Sequence, residues 1–318
     1  MYICYFLISF LIIDKRLSLF IPLYLIVFKV KNKEIRYNTL KKSINMNTND
    51  LMNAALKLAK LDVMPPDTNI IVEGEGIKKV LIGIDMETPE LLLAQQLGYD
   101  CVVSHHPKAD SCVVDFVKVM DVQIERMVKS GVPINKAQKV LKKKQMSVDL
   151  GRHASNYDRV SSAARLLKMP YLNIHIPADF ITEEIVQTRL NNAFSHKPKT
   201  KLKDIIEELN TWEYYIGKVA QPLIRVGSND DYAGKIEVLM AGGTNGGVDV
   251  YKAYFEAGVG TIIAMHVPED VKKAVAEQNI GNIIVAPHMP SDSIGLLEIV
   301  KAWREQGVDV TCMSGIVE

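Results

Sequence analysis

The stretch from Cys101 to Pro107 most constrains how this chain can fold, because it joins an apolar run to two adjacent histidines and a proline. Pro107 disfavours a helical conformation at His106, since the proline ring clashes with a helical predecessor. The stretch therefore predicts a buried strand with the histidine pair at its C-terminal end. Neighbouring side chains on extended backbone point to opposite sides, so the pair suits two metal ions better than one. A polar loop after a buried strand is the alternative interpretation.

The composition limits the classes of partner and the compartment. A chain of 318 residues can bury one large core or two modest ones. Its 38 Lys and Arg residues against 37 Asp and Glu residues give no electrostatic reason to expect nucleic acid or an anionic membrane as a partner. The cysteines form no CxxC pair, which argues against a disulfide framework and against a thiolate zinc site. We expect a cytoplasmic protein.

The first 45 residues differ from the rest. The apolar segment from Met1 to Phe28 is divided by Asp14-Lys15-Arg16 into runs shorter than the roughly 20 residues that span a bilayer. It also lacks the features of a signal peptide. Met46 then has the character of a natural start, with helix-capping residues after it. We therefore expect residues 1–45 to be a non-core extension from a start codon assigned too early, with a membrane hairpin or anchor as the alternative.

A strand–helix–strand unit is predicted around the histidine pair. The apolar run Val80–Ile84 ends at Asp85, Thr88-Pro89-Glu90 has the features of a helix start, and Gly98 ends that helix before the strand Cys101–Ser104. Such a unit implies parallel strands and a right-handed crossover. Asp85 and the histidine pair are then expected at the same C-terminal edge of the sheet, where open α/β sheets bind ligands.

The second half of the chain repeats this strand and helix pattern. Strands are predicted at Ile236–Met240, Thr261–Ala264, Ile283–Ala286 and Val308–Thr311, with a glycine-rich turn at Ala241–Gly247. The segment between the halves is predicted to be mainly helical, at Val114–Lys129, Lys136–Lys144, Val160–Leu167, Thr182–Asn192 and Lys203–Leu209, with a strand at Leu172–Ile176. We therefore predict an α/β fold of two related lobes with a dinuclear metal site in the cleft between them. Residues 46–160 would form the first lobe, completed by residues 295–318, and residues 161–294 the second.

Three separated strand ends offer metal ligands. They are His105 and His106, then His153 or Asp158, and finally His288 with Asp292. The spacing of the last pair places both side chains on one side of a helix start. The alternatives are a carboxylate facing a helix dipole for Asp292 and a helix-cap acid for Asp158. A mixed nitrogen and oxygen set of this kind suits zinc, manganese or iron.

The sequence resembles the Nif-three-like family, whose members are often described as type 2 homologues of GTP cyclohydrolase I. The resemblance extends from about Met46 to the C-terminus, and its strongest motif is Ser104-His105-His106-Pro107 after Asp85-Met86-Glu87-Thr88-Pro89. It implies two divalent metal ions between two α/β lobes and a homohexameric toroid. By this resemblance His105 and His106 each bind mainly one ion, Asp158 bridges the ions, and His288 and Asp292 match a late His-x-x-x-Glu pair.

The chain departs from the family pattern at four places. The segment His153–Asp158 is one residue longer than usual, and a basic helix with Lys136, Lys139, Lys142, Lys143 and Lys144 precedes it. Asp292 replaces the usual glutamate with a shorter side chain. His266 stands where members often carry a Thr-Gly-Asp or Thr-Gly-Glu sequence. One hypothesis is that the lysine-rich helix attracts anions at the opening of the toroid, although such a run is ordinarily a solvated face.

The expected function is that of a metal-dependent hydrolase, in which metal-activated water attacks a purine nucleotide or a similar phosphorylated small molecule. His266 and His153 are candidate proton shuttles, because imidazole titrates near neutrality. Lys108, Arg152 and Arg159 are candidate anion contacts. The glycine-rich turn is expected to be a tight strand-to-helix connection, with a phosphate cradle as the alternative.

Two other functions remain open at this point. One is a non-catalytic, metal-binding hexamer with a regulatory or interaction role, and the other is a dinuclear-metal phosphoesterase. A metal site that opens into a ligand-sized pocket with basic residues would favour either enzyme. A closed site beside a large exposed apolar patch would favour the interaction protein.

Overall fold

The structure is a computed structural model that describes residues 46–318, so the predictions for residues 1–45 lie outside the described residues. The strands are β1 Asn69–Val72, β2 Lys79–Gly83, β3 Cys101–Ser104, β4 Tyr171–Asn173, β5 Leu223–Val226, β6 Lys235–Leu239, β7 Val259–Ala264, β8 Asn282–Val285 and β9 Asp309–Met313. The helices are α1 Thr48–Leu58, α2 Thr88–Gln96, α3 Ser111–Val114, α4 Phe116–Val119, α5 Asp121–Lys129, α6 Ile134–His153, α7 Asp158–Leu167, α8 Ile176–Phe194, α9 Leu202–Asn210, α10 Val248–Glu256, α11 Glu269–Gln278 and α12 His288–Glu305.

The first sheet has the strand order β1-β4-β3-β2-β9. Strands β2 and β3 are parallel, with Val80 opposite Cys101 and Gly83 opposite Ser104, which confirms the predicted strand–helix–strand unit around α2. β4 and β9 extend the parallel part on either side, and β1 is antiparallel to β4 at one edge. The C-terminal strand β9 therefore belongs to this sheet.

The second sheet repeats the topology of the first, except that, among the described residues, it has no counterpart of β9. Its order is β5-β8-β7-β6, with β5 antiparallel to β8 and the other pairs parallel. Even the irregularity of the antiparallel edge recurs, because the register shifts between Ile70 and Val72 in β1 and between Ile224 and Val226 in β5. The predicted α/β fold with two related lobes is thus confirmed.

Helices α8 and α12 take part in the cores of both sheets. Ala178 and Ile181 of α8 pack with the first sheet, and Val186 and Leu190 of the same helix pack with the second. Helix α12 behaves similarly, with Trp303 in the first core and Ile294 in the second. The pair holds the sheets together and brings its two N-termini to the strand ends.

Some predicted boundaries differ from the structure. The helix expected over Val114–Lys129 is divided into α3, α4 and α5, and the strand expected over Leu172–Ile176 ends at Asn173. It ends there because Pro177 occupies the first turn of α8, where a proline favours a helix start. β4 follows residue 160 yet pairs in the first sheet, so that sheet extends beyond the predicted limit of the first lobe. Residues 46–318 include no helix with the length and apolarity needed to cross a membrane.

Candidate metal centre

The histidine pair continues the pairing of β3 with β2. The backbone N–H of His105 donates to the Gly83 carbonyl and that of His106 to the Ile84 carbonyl, both at 2.9 Å. The Ser104 hydroxyl donates to the His106 carbonyl at 2.9 Å. These hydrogen bonds hold both histidines just beyond the end of β3 and fix the backbone from which their side chains project.

Three imidazole rings can donate a hydrogen bond from Nδ1 to a protein oxygen, which leaves Nε2 available to bind a metal ion. The pairs are His105 with the Ile174 carbonyl at 3.0 Å, His106 with Asp85 Oδ1 at 2.9 Å, and His175 with Asp67 Oδ2 at 2.5 Å. A histidine that binds a metal through one nitrogen commonly donates its other N–H to a carbonyl or a carboxylate, which fixes the tautomer and the ring orientation. The three rings thus have the environment of metal ligands.

Asp292 is the most informative side chain of the cluster. It is 1 % exposed, and neither carboxylate oxygen has a hydrogen-bond donor among the described residues. Its Oδ2 lies 3.3 Å from His288 Nε2, 3.6 Å from His106 Nε2 and 3.7 Å from His105 Nε2. A buried carboxylate without a donor carries a large desolvation cost, which a cation between it and the imidazoles would offset.

Asp179 holds a comparable position in the first turns of α8. It is buried, with Oδ1 at 3.3 Å from His105 Nε2 and Oδ2 at 3.7 Å from His175 Nε2. His175 precedes Asp179 by four residues, as His288 precedes Asp292, so each helix of the packed pair begins with the same His-x-x-x-Asp spacing.

These side chains form three overlapping groups. Within each group, the ligand atoms lie within 4.8 Å of one another. The groups are His105 with His106 and His175, His106 with His288 and Asp292, and His105 with Asp179 and Asp292. Neutral imidazole nitrogens and carboxylate oxygens are ligands of zinc, manganese and iron. The donor set therefore fits a divalent transition-metal ion.

Neighbouring charges shift the pKa values of several side chains in and around the cluster. Burial lowers the pKa of His175, but the carboxylates of Asp179 and Asp67 outweigh burial and raise that pKa to about 9. His105 has a raised pKa for the same reason, since Asp292 and Asp179 outweigh its burial. Burial raises the pKa of Asp85, but Lys108 and His106 outweigh it and leave that pKa below its ordinary value. Asp85 thus remains ionised and orients His106.

A polar cavity of about 250 Å³ opens beside the cluster. Its wall includes His106, His175, Asp179, His288 and Asp292. Other parts of the wall come from Phe116, Arg152, His266 and the glycine-rich turn. The cluster is therefore accessible to a small molecule.

The glycine-rich turn is held in place from α5. Nε2 of the buried Gln123 donates to the Gly242 carbonyl at 2.7 Å and to the Thr244 carbonyl at 2.8 Å. Gly243 has a φ of 75°, and a Cβ there would lie 2.9 Å from the Phe116 ring, so glycine is required at this position. The turn connects β6 to α10, and Gly243, Thr244 and Asn245 line the cavity.

The structure brings together most of the side chains that the sequence suggested. His105, His106, His288 and Asp292 lie in the cluster, and His266 lines the cavity with its ring centroid 5.1 Å from that of His288.

Two of the predicted residues, Asp158 and His153, lie outside the cluster. Asp158 is exposed at the start of α7, where its Oδ1 accepts hydrogen bonds from Arg165 and Ser161 at 3.1 Å, so it does not join the ligand groups. His153 is exposed at the end of α6, 3.7 Å from Asp149, and does not line the cavity. Both side chains are on helices that turn them towards solvent.

The sequence analysis missed His175, Asp179 and Asp67. His175 was placed inside a predicted strand, where a histidine gives no signal of a site. The available signal was the repeated His-x-x-x-Asp spacing, with a proline just after each histidine, at the starts of α8 and α12. Asp67 has no comparable signal, because only the tertiary fold brings it to His175.

Comparison with solved structures identifies a similar protein over most of the chain. The crystal structure of a NIF3 superfamily protein from Sphaerobacter thermophilus is 36% identical, with a TM-score of 0.82, and the match covers 85% of this chain and 98% of that one.

Two more distant structures share the fold. Reduced HcgD from Methanocaldococcus jannaschii is 14% identical with a TM-score of 0.54, and the match covers 85% of this chain and 98% of that one. Protein SA1388 from Staphylococcus aureus is 12% identical with a TM-score of 0.50, over 84% and 96% of the two chains. No protein-family model and no curated protein matches the sequence.

Proposed function

The chain belongs to the NIF3 superfamily, and we propose that it is a metal-dependent hydrolase whose histidine and aspartate cluster holds two divalent ions. The observation that carries this proposal is the carboxylate of Asp292, which is buried without a hydrogen-bond donor and surrounded by three imidazole nitrogens. A bound cation would supply the partner that this carboxylate lacks among the described residues.

The overlap of the ligand groups supports two ions rather than one. His106, His288 and Asp292 would hold the first, and His105, Asp179 and Asp292 the second. Asp292 is common to both groups, so it would be a ligand of both ions, the role that the family resemblance implies for Asp158. His175 lies next to the second group, because it is close to both Asp179 and His105. The ions would be zinc, manganese or iron.

Two divalent ions held by these residues would lower the pKa of a water molecule towards neutrality and stabilise charge on attacking and leaving oxygens. The protein side chains would bind and orient a substrate in the cavity next to the cluster. His266 lies on the cavity wall beside His288, where a neutral imidazole can take up or return a proton. The substrate would be a purine nucleotide or a similar phosphorylated small molecule, as in a GTP cyclohydrolase I-like reaction.

The cavity favours catalysis over a purely structural metal site. It exposes the cluster to a small molecule and includes the basic side chains Lys108 and Arg152 in its wall. A metal-binding hexamer with a regulatory role would need no such opening.

The test is an assay of metal-loaded protein on GTP, other nucleotides and phosphorylated small molecules, with formate and phosphate release measured separately. Formate release indicates ring opening, and phosphate release indicates a phosphoesterase. Turnover that is lost in Asp292→Asn but kept in Asp158→Asn would support the proposal. Metal-loaded protein without turnover on any of these compounds would contradict it and favour the interaction protein.

We also propose a cytoplasmic homohexamer, on the basis of the family resemblance of the sequence. Light scattering after size exclusion would test the assembly. A mass of six chains is the expected result, and a monomer at micromolar concentration would contradict it.

A further inference from the structure

Helix α6 carries an arginine to the wall of the metal cavity. Arg152, near the C-terminal end of this helix, places its guanidinium carbon 4.1 Å from the centroid of the Phe116 ring. His175 also neighbours that ring, with a centroid separation of 5.7 Å. Phe116 therefore lies next to both the guanidinium and a ring of the histidine and aspartate cluster.

Among the described residues, Arg152 lines the cavity without a carboxylate partner, unlike the neighbouring Lys108 and Arg159. Lys108 has Asp85 at 2.7 Å and Glu87 at 3.3 Å, and Arg159 is exposed with Glu87 at 3.7 Å. Within residues 46–318, no carboxylate lies within ion-pair distance of Arg152. Burial lowers the pKa of Arg152, yet a guanidinium stays charged at neutral pH. A partly buried cation without a protein partner is costly unless a ligand supplies the anion.

The neighbouring turn offers further donors to an anion. Thr244 and Asn245 line the same cavity as Arg152. The hydrogen bonds from Gln123 occupy the carbonyls of Gly242 and Thr244. In the described part of the chain, the backbone N–H groups of Gly243, Thr244 and Asn245 have no acceptor. Backbone N–H groups together with an arginine form the kind of surface that binds phosphate oxygens.

We propose that Arg152 binds the phosphate group of the substrate, assisted by the backbone of the glycine-rich turn, and so selects phosphorylated small molecules for the metal cluster. This inference rests on the proposed function, because it assigns the substrate class of the same cavity. The cavity volume of about 250 Å³ lies below the range typical of larger ligands, roughly 300–1,000 Å³. The cavity therefore takes a small phosphorylated compound or the phosphate-bearing part of a nucleotide.

The basic helix α6 thereby gains a role that differs from a solvated face. Lys136 pairs with Glu256 on α10, which anchors the start of the helix. The opposite end of the helix presents Arg152 to the cavity. The segment that departs from the family pattern is thus the one that supplies the selective residue.

The test is calorimetric binding of inorganic phosphate, with acetate as a carboxylate probe, to metal-loaded and chelator-treated protein. Arg152→Gln should weaken phosphate binding about tenfold or more, with unchanged metal content and unfolding temperature. The phosphate affinity of Arg152→Lys should lie between those of the parent and Arg152→Gln, because lysine keeps the charge but lacks the bidentate geometry of a guanidinium. Arg159→Gln changes an exposed arginine seven residues away, so this variant should bind phosphate as tightly as the parent does.

Several results would overturn the inference. They are a parent that binds no phosphate, Arg152→Gln protein that binds it as tightly as the parent, and a dependence on Arg152 for acetate alone. Failure of the proposed hydrolase function would give a different result from failure of the phosphate subsite. Phosphate binding that depends on Arg152, without any hydrolysis, would contradict the hydrolase and leave the phosphate subsite supported.

Discussion

Asp292 and Asp179 stand at matching places in two packed helices, each four residues after a histidine. In both cases the histidine follows a parallel strand, β4 for His175 and β8 for His288. The spacing brings imidazole and carboxylate to the same side of the helix. Each lobe therefore contributes one His-x-x-x-Asp pair to the candidate site, and the adjacent histidines after β3 complete it.

Substitution of Asp67 tests the support behind the ligands. Asp67 is fully buried and accepts the Nδ1 proton of His175. Asp67→Asn removes the negative charge that increases the basicity of His175, so we expect metal affinity to fall about tenfold to a hundredfold. Competition with a chromogenic chelator measures the change. Asp158→Asn is the control, since its carboxylate pairs with Arg165 outside the cluster. Equal affinities for Asp67→Asn and the parent would contradict this role.

Residues of the site differed in how far sequence could predict them. His105, His106 and the His288–Asp292 pair were predictable because a strand end, a proline or a helical spacing marks them. Asp158 was predicted as a ligand and Asp179 was not, because only packing shows that α7 turns its acid to solvent while α8 buries its own. Interior position is a tertiary property that a local pattern does not contain.

The contact between α8 and α12 fixes the spacing of the two His-x-x-x-Asp pairs. Gly295 lets the helices approach closely, because a Cβ at this residue would lie 2.0 Å from the Ala178 carbonyl. The Gly295 N–H also donates to the Thr182 hydroxyl at 2.9 Å. Close packing of these helices therefore places Asp179 and Asp292 around the same space.

Gly295→Ala should separate the two helices and destabilise the protein. We expect the free energy of unfolding to fall by about 1–3 kcal/mol, as for other overpacked cores. Denaturant unfolding at equilibrium measures this change. The matched control is Gly151→Ala in α6, where a Cβ meets nothing within 4 Å. That substitution should stabilise by about 0.5–1 kcal/mol, because alanine favours the helix. An unchanged stability of Gly295→Ala would show that the contact is not tight.

The position of the glycine-rich turn depends on Gln123. Gln123→Ala leaves the carbonyls of Gly242 and Thr244 without their donor, which should cost about 1–3 kcal/mol in the free energy of unfolding. The control is Gln145→Ala, which removes only a more exposed hydrogen bond to Asp121. Equal effects of the two substitutions in denaturant unfolding would contradict the special role of Gln123.

Elements with strong periodicity or clear boundaries were predictable from sequence. β3 begins at Cys101 and ends at Ser104 as predicted, and α2 begins at Thr88 with Pro89 in its first turn. β1 and β5 were missed because they are antiparallel edge strands of only four residues that are incompletely buried. Their pairing is decided by the neighbouring parallel strands rather than by their own residues.

At the scale of the whole molecule, the candidate ligands come from both lobes. His105, His106 and His175 follow strands of the first sheet, and His288 follows a strand of the second. Ions bound by all of them would connect the lobes in addition to α8 and α12. Metal binding is therefore expected to contribute to global stability and not only to local order.

Removal of metal should lower the unfolding temperature of the entire chain. A ligand at 100 times its dissociation constant stabilises the native state by about 2.7 kcal/mol. Calorimetry with and without a chelator should show this loss, reversed by added zinc or manganese. The Asp292→Asn protein should show no difference between the two conditions. A chelator effect of the same size in Asp292→Asn would place the stabilising metal elsewhere.

The most direct test of the central claim is metal content by elemental analysis of protein purified without added metal. The parent should contain about two divalent ions per chain. Asp292→Asn and the double variant His105→Ala/His106→Ala should lose them, while Asp158→Asn should retain them. A folded parent that contains no metal and takes up none on titration would contradict the account, and so would metal retained by Asp292→Asn but lost by Asp158→Asn.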